Sequence, residues 1–247
     1  MFKGCSSLRD IKPLKDWDVS KGEDFEGMFE GCSNLYDIHS LENWNISNVN
    51  NFSFMFNKCS FILNLIPLKK RNVSKGKDFQ SMFSGLDKLS NIIPLKNWDV
   101  SNSKNFSNFF NGCSNLLRIH PLENWNTANC NSFKRMFAGC SYLTELTPLK
   151  KWDVSNGSDF EGMFAGCSNI MDLMPLRSWN VSKGINFSSM FLGCVQISNI
   201  KPLEIWNVSK GNKFEYIFFK CTSLKDLTPV ENWNVSKDKL ELIKKIN

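Results

Sequence analysis

The sequence predicts an α/β solenoid of nine 27-residue coils, each with a short helix and a short extended strand segment, capped by a C-terminal helix. Three observations carry that prediction. Trp17, Trp44, Trp98, Trp125, Trp152, Trp179, Trp206 and Trp233 include every Trp of the chain and share one 27-residue register, in which only Arg71 departs. No insertion or deletion disturbs that step, and nine units fill all but four of the 247 residues. A unit of this size cannot bury its apolar face alone, whereas stacked copies make one continuous core.

The unit reads Phe-x-x-Met-Phe-x-Gly-Cys-Ser-x-Leu-x-x-Ile-x-Pro-Leu-x-x-Trp-Asp/Asn-Val-Ser, followed by a polar bridge to the next Phe. In its first half, Phe25, Met28 and Phe29 stand at i, i+3 and i+4, the spacing of one helical face. Asp24 is placed to cap that turn, as are Asn51, Asp78, Asn105, Asp159 and Asn186. Gly31 closes it like a C-cap glycine, with Lys58 and Lys220 in the same register of other coils. In the second half, Leu35, Ile38 and Leu41 point inward, and Pro13, Pro67 and Pro94 exclude a long central strand. A short extended segment at Ile-x-Pro-Leu comes next, then a turn at Trp-Asp/Asn. Residues 1–236 thus make a single solenoid, on the order of 43 Å long at the ~4.8 Å spacing of paired strands. Residues 237–247 make the capping helix: Asp238 as N-cap, Leu240 and Ile243 on the apolar side, Glu241 and Lys245 as an i, i+4 pair.

Composition narrows the function. With 42% hydrophobic and 22% charged residues the chain is no disordered polymer. No run approaches the ~20 apolar residues of a membrane span, so membrane insertion is not expected. Met1-Phe2-Lys3-Gly4-Cys5 shows no signal peptide. The formal net charge is +6, and the basic residues read as scattered, which does not indicate nucleic-acid binding.

Met28-Phe29-Glu30-Gly31-Cys32-Ser33-Asn34-Leu35 and Trp44-Asn45-Ile46-Ser47-Asn48-Val49, recurring along the whole chain, resemble the BspA-like leucine-rich-repeat surface proteins, the group of the mycoplasma lipoprotein-type repeats. Two departures stand out: Pro-Leu replaces the family's Asp-Leu-Ser, and Gly22, Gly76, Gly157, Gly184 and Gly211 stand where the family has Val. The resemblance implies a leucine-rich-repeat-like fold, a cell-surface or extracellular location, and a role in adhesion and protein binding toward a protein ligand or host surface protein.

No catalytic, metal or cofactor site emerges. Cys5, Cys32, Cys59, Cys113, Cys140, Cys167, Cys194 and Cys221 share a register that Leu86 also fills, which marks an apolar core position. Stacked disulfides and zinc are the alternatives, and both lack the required spacing or geometry. Cys130 lies instead in the polar bridge, where partial exposure is expected. Arg71 in the Trp register points to a half-exposed Trp column at a corner, since a guanidinium can lie on an aromatic face and stay wet. The residue after each Trp is Asp in Asp18, Asp99 and Asp153 and Asn elsewhere, which fits Asx-turns rather than acid–base chemistry. Asn45, Asn72, Asn180, Asn207 and Asn234 thereby begin formal glycosylation sequons. His39 and His120 are three coils apart and cannot form a dyad. With no assembled acid, base or nucleophile, the chain reads as a non-enzyme.

What remains is surface. One outward register reads Lys12, His39, Ile66, Ile93, His120, Thr147, Met174, Lys201 and Thr228, varying in chemistry while the core registers do not. Solenoids use such rows as recognition faces. The alternative is a purely structural rod, assembling end to end through an uncapped first coil whose Phe2, Leu8, Ile11 and Leu14 would stand exposed.

Overall fold

The computed structural model describes residues 1–246, and it arranges both halves of the coil differently from the sequence expectation. The Phe-x-x-Met-Phe half is not helical. Its backbone N–H groups are engaged between coils: those of Phe25, Gly27, Phe29 and Gly31 donate to the carbonyls of Asn51, Ser53, Met55 and Asn57 at 2.8–3.0 Å. Met28 and Cys32 donate within the coil, to the Phe25 and Phe29 carbonyls, closing two consecutive tight turns. The third residue of each turn has φ > 0, as a type II turn requires: Gly27 at 55° and Gly31 at 73°. Phe54, Lys58 and Ser81 adopt the same conformation without being glycine. That costs an L-residue roughly 1–2 kcal/mol, and the ladder of bonds to both neighbours holds it in place. The i, i+3, i+4 apolar spacing is therefore correct about the buried face and misleading about the backbone.

This geometry aligns four peptide groups per coil along the solenoid axis. In each of the pairs 24–25, 26–27, 28–29 and 30–31 the N–H points to the following coil. The corresponding carbonyls of Asn51, Ser53, Met55 and Asn57 point to the preceding one. Peptide dipoles then add from coil to coil, as in a helix, whereas those of a pleated sheet largely cancel. Apart from isolated parallel bridges such as Asp24–Asn51 and Asn64–Asn91, no strand forms among the described residues.

The segment expected to be extended is a short 3-10 helix: Lys12–Leu14, Ile66–Leu68 and Ile93–Leu95 are representative. Two local features nucleate it. A carboxylate or carboxamide oxygen two residues upstream accepts the first helical N–H, as Asn64 Oδ1 does from Ile66 (3.2 Å) and Asn91 Oδ1 from Ile93 (2.9 Å). The following Pro has its φ fixed near the helical value and needs no donor there.

The core is one cluster running from Ile11 to Ile243. Its spine is a Phe ladder from Phe2 through Phe29, Phe56, Phe83, Phe110, Phe137, Phe164 and Phe191 to Phe218, with successive ring centroids 5.7–6.1 Å apart. The Trp column is not half-exposed. Trp44 to Trp233 are 1–4% exposed, and only Trp17 reaches 39%. Each buried indole N–H donates to the carbonyl thirty residues back, for example Trp98 to Leu68 and Trp233 to Leu203. Arg71 is an exception within the column and no guide to it. Its Nη1 donates to the Trp44 carbonyl at 2.6 Å, its Nε finds no partner, and a small apolar cavity lies between it, Leu41 and Trp98.

The C-terminal helix α1 (Lys237–Ile243) covers the last coil with Ile243, which is fully buried. Its N-cap residue is Ser236 rather than Asp238. Lys244, not Lys245, finds a carboxylate, that of Glu231 at 2.6 Å. The expected cap reaches Asn247, which lies outside the described residues. At the other end, Ile11 and Leu14 are buried and Phe2 and Leu8 half-buried, so the exposed apolar surface expected of those four is carried by Met1 and Trp17.

Candidate binding face

Asparagine and aspartate shape the coil at three corners, which hold twelve of the 30 asparagines of the chain. Before the Phe, Asn51 Oδ1 accepts the Ser53 N–H at 3.0 Å. Before the 3-10 helix, Asp37 Oδ1 accepts the His39 N–H at 3.0 Å. After the Trp, Asp18, Asn45, Asn72, Asp99, Asn126, Asp153, Asn180 and Asn207 all accept the N–H two residues on. Further asparagines bridge coils, as Asn102 and Asn129 do by donating to the Ser74 and Ser101 carbonyls. Backbone hydrogen bonds depress the pKa of Asp37 and Asp226, with the His39 and Thr228 amides the main causes. These carboxylates are structural acceptors.

The 3-10 helices pack side by side along one edge of the solenoid. Each begins at the outward register, so Lys12, His39, Ile66, Ile93, His120, Thr147, Met174, Lys201 and Thr228 form one exposed line. Ile66, Ile93 and Met174 are each more than half exposed. His39 and His120 stand far apart on it, and His39 is engaged locally by Asp37 (2.8 Å). The Asp10, Asp37, Asn64 register two residues upstream, although it too varies in sequence, caps the 3-10 helix wherever it is Asp or Asn, and Arg118 and Glu145 are its exceptions.

Grooves separate successive helices on this edge. One is lined by Glu42, Asn43, Ile66, Pro67, Lys69, Lys70 and Arg71. Another is lined by Ser90, Ile93, Leu117, Arg118, His120 and Pro121. A third joins Thr147, Lys150, Met174, Arg177 and Ile205. A charge signal that the register-by-register reading misses lies here. Lys58, Lys69, Lys70, Arg71, Lys75 and Lys77 fall between Asn43 and Lys77, a stretch without a single Asp or Glu. Its six positive charges equal the whole net charge of +6, so the excess is clustered along the chain, and three of the six, Lys69, Lys70 and Arg71, line a groove on this edge.

The cysteines offer no reactive site on this face. The thiols of the column donate to carbonyls thirty residues back, Cys59 to Phe29 (3.0 Å) and Cys167 to Phe137 (3.0 Å) among them, the same relation the indoles use. Burial pushes the Cys59 and Cys221 thiols up to about 12, and those of Cys113, Cys140, Cys167 and Cys194 well up too. Cys130 is fully buried as well, and burial pushes it up to about 12; Cys5 is the exposed cysteine. The bridge register that Cys130 occupies is not polar surface. The Phe three residues on folds over it, so closely that a Cβ on Gly76 would meet the Phe79 ring at 2.3 Å. Among the described residues no group of His, Cys, Asp and Glu is placed to hold a metal ion, and no helix is long and apolar enough to cross a membrane.

A family profile described as "Mycoplasma protein of unknown function, DUF285" matches residues 1–118, 60–174, 87–199 and 147–242. No curated protein matches the chain. Among solved structures, a leucine rich cell surface protein from Faecalibacterium prausnitzii is 16% identical with a TM-score of 0.37, over 100% of this chain and 78% of that one. Internalin C2 from Listeria monocytogenes is 14% identical with a TM-score of 0.31, over 82% of this chain and 73% of that one. A leucine-rich repeat protein from Bacteroides ovatus is 16% identical with a TM-score of 0.29, over 100% and 85%.

Proposed function

Since the chain belongs to the family described as Mycoplasma protein of unknown function, DUF285, whose profile spans nearly its whole length, we propose that it is a non-catalytic repeat protein that binds a protein ligand at a cell surface or outside the cell. The observation that carries the reading is the 3-10 edge. Nine in-line positions are exposed and change chemistry from coil to coil, above core columns that scarcely change. A scaffold with fixed columns and one variable edge separates recognition from folding, so that edge residues can alter without cost to the stack. Adhesion is the finer form of the same role, with a host surface protein as the ligand.

The test is binding of the folded chain to a panel of purified extracellular-matrix and cell-surface proteins, measured beside an I66S/I93S/M174S variant. Binding that the variant loses while its melting temperature is unchanged supports the reading. Binding equal in both, or none across the panel, counts against it. A second reading, a rod that assembles end to end, rests on the first coil, where Met1 is 83% and Trp17 39% exposed beside Val19 and Phe25. It requires concentration-dependent sedimentation that a Trp17→Lys change abolishes.

A further inference from the structure

The edge is not uniform, and in coils 3 and 4 exposed apolar side chains, unpaired lysines and uncharged caps coincide. Leu63, Ile66 and Ile93 form an exposed apolar strip, each at least half exposed. Beside it Lys69, Lys70 and Lys96 are exposed and have no carboxylate within ion-pair distance among the described residues. Several charges elsewhere on the edge are answered: Glu123 holds Lys151 at 2.7 Å, Glu204 holds Lys201 at 2.8 Å, and Asp37 holds His39. The caps contribute to the asymmetry. Coils 3 and 4 use Asn64 and Asn91 where coils 1, 2, 7 and 9 use Asp, so the turn is kept while the negative charge is removed.

We propose that the 3-10 edge of coils 3 and 4 docks an acidic segment of a partner protein, with its apolar side chains on Leu63, Ile66 and Ile93 and its carboxylates on Lys69, Lys70 and Lys96. The inference rests on the protein-binding reading above and names the chemistry of the partner. Charge complementarity selects an anion, because Lys69, Lys70 and Lys96 stand exposed with no carboxylate paired to them among the described residues. The apolar strip selects a polypeptide over a nucleic acid, whose phosphate backbone has nothing to place on Leu or Ile. Of the exposed aromatic rings nearby, Phe61 is covered by Lys88 at 3.8 Å from its centroid, which leaves Tyr36 alone rather than a row of stacking platforms. Shape selects a side chain over a lipid surface. Ile66 lines a groove with Pro67, Lys69, Lys70 and Arg71, whose three cations outnumber the single carboxylate of Glu42 there, and a concavity receives a side chain, whereas a membrane anchor must protrude.

The experiment is selection of a phage-displayed random dodecapeptide library on the immobilised folded chain. The same selection is run on a K69E/K70E/K96E variant and an I66S/I93S variant, each first shown to melt as the parent does. The proposal expects enriched peptides rich in Asp and Glu around Leu, Ile or Phe. Their affinity should fall about tenfold or more on either variant and with rising salt, while the charge-reversed variant enriches basic peptides instead. Enrichment of peptides without acidic bias, or with affinity untouched by the variants, overturns the proposal and leaves protein binding standing. No enrichment at all overturns both. Phosphatidylglycerol vesicles and a single-stranded oligonucleotide are tested alongside, and binding of either that the K69E/K70E/K96E change abolishes, without peptide enrichment, replaces the partner named here.

Discussion

At the scale of single residues, two side-chain types that look purely apolar do polar work. Cys and Trp each donate to a carbonyl thirty residues back, which gives a buried thiol or indole N–H its partner, and a buried unsatisfied polar group costs roughly 1–3 kcal/mol. Leu86 shows that the thiol bond can be given up once, and Arg71 shows the defect left when the indole is lost. Restoring the register with Arg71→Trp places an indole N–H against the Leu41 carbonyl, fills the cavity and removes the unpartnered Nε; we expect a gain of about 1–2 kcal/mol, read as a raised melting temperature. An unchanged or lowered value would show the guanidinium bond to Trp44 to be worth more. The thiols give a second expectation. Their folded pKa values are raised by burial, so the associated stability is fully present below the unfolded value and is lost as pH rises from there toward the folded value. Each buried thiol then steepens the decline by up to ~1.4 kcal/mol per pH unit above about 8.5. The melting temperature should fall from pH 8 to 9.5, and a C113A/C140A variant should fall less. Under native conditions a thiol reagent should modify Cys5 quickly and the column not at all.

At the scale of the element, the apolar registers are legible in the sequence and the backbone is not. The Phe, Met, Leu and Ile positions read as buried columns, and they are, because burial follows from the repeat whatever conformation carries it. The local backbone escapes the sequence in both halves of the coil for one reason. Phe-x-x-Met-Phe has helical spacing, yet its N–H groups bond the next coil, and a pattern within one unit cannot reveal a partner 26 residues away. At Ile-x-Pro-Leu the Pro limits a strand, but it equally suits the first turn of a helix. The Asx oxygen two residues before that turn, present in Asp10, Asp37, Asn64 and Asn91, is its start signal and resembles surface variation until the bond it accepts is seen. The exposed row is legible because exposure there depends only on phase within the repeat; the clustered charge is not, because it runs along the chain and not down a register. The Phe ladder tests the column at this scale. Phe110 lies between Phe83 and Phe137 at 6.0 Å from each and edge-on to Phe109 at 4.5 Å. Phe110→Ala should cost roughly 3–5 kcal/mol in urea unfolding, since the rigid stack on both sides cannot close the void. A loss below about 1 kcal/mol would mean that the columns repack freely.

At the scale of the whole molecule, each coil touches only its neighbours, so stability is a sum of coil terms and interface terms rather than the property of one centre. The aligned turn peptides couple those interfaces in one direction: a coil that loses its follower leaves N–H groups such as those of Phe25, Gly27 and Phe29 without acceptors. Unfolding should therefore begin where that acceptor row ends, under α1. There the Lys220 N–H is met by the Ile246 carbonyl and Lys239 reaches the Gly211 carbonyl, while Ile243 seals the apolar column beneath. Changing Ile243 to Lys puts a charge into that seal, which a buried site tolerates only by opening. Hydrogen exchange followed by mass spectrometry should then show protection lost over coils 8 and 9, falling off toward the middle, with coils 3 to 6 protected as in the parent. Uniform loss of protection along the chain would mean that the nine coils fold as one indivisible unit, and that the interface terms far outweigh the stability of any coil.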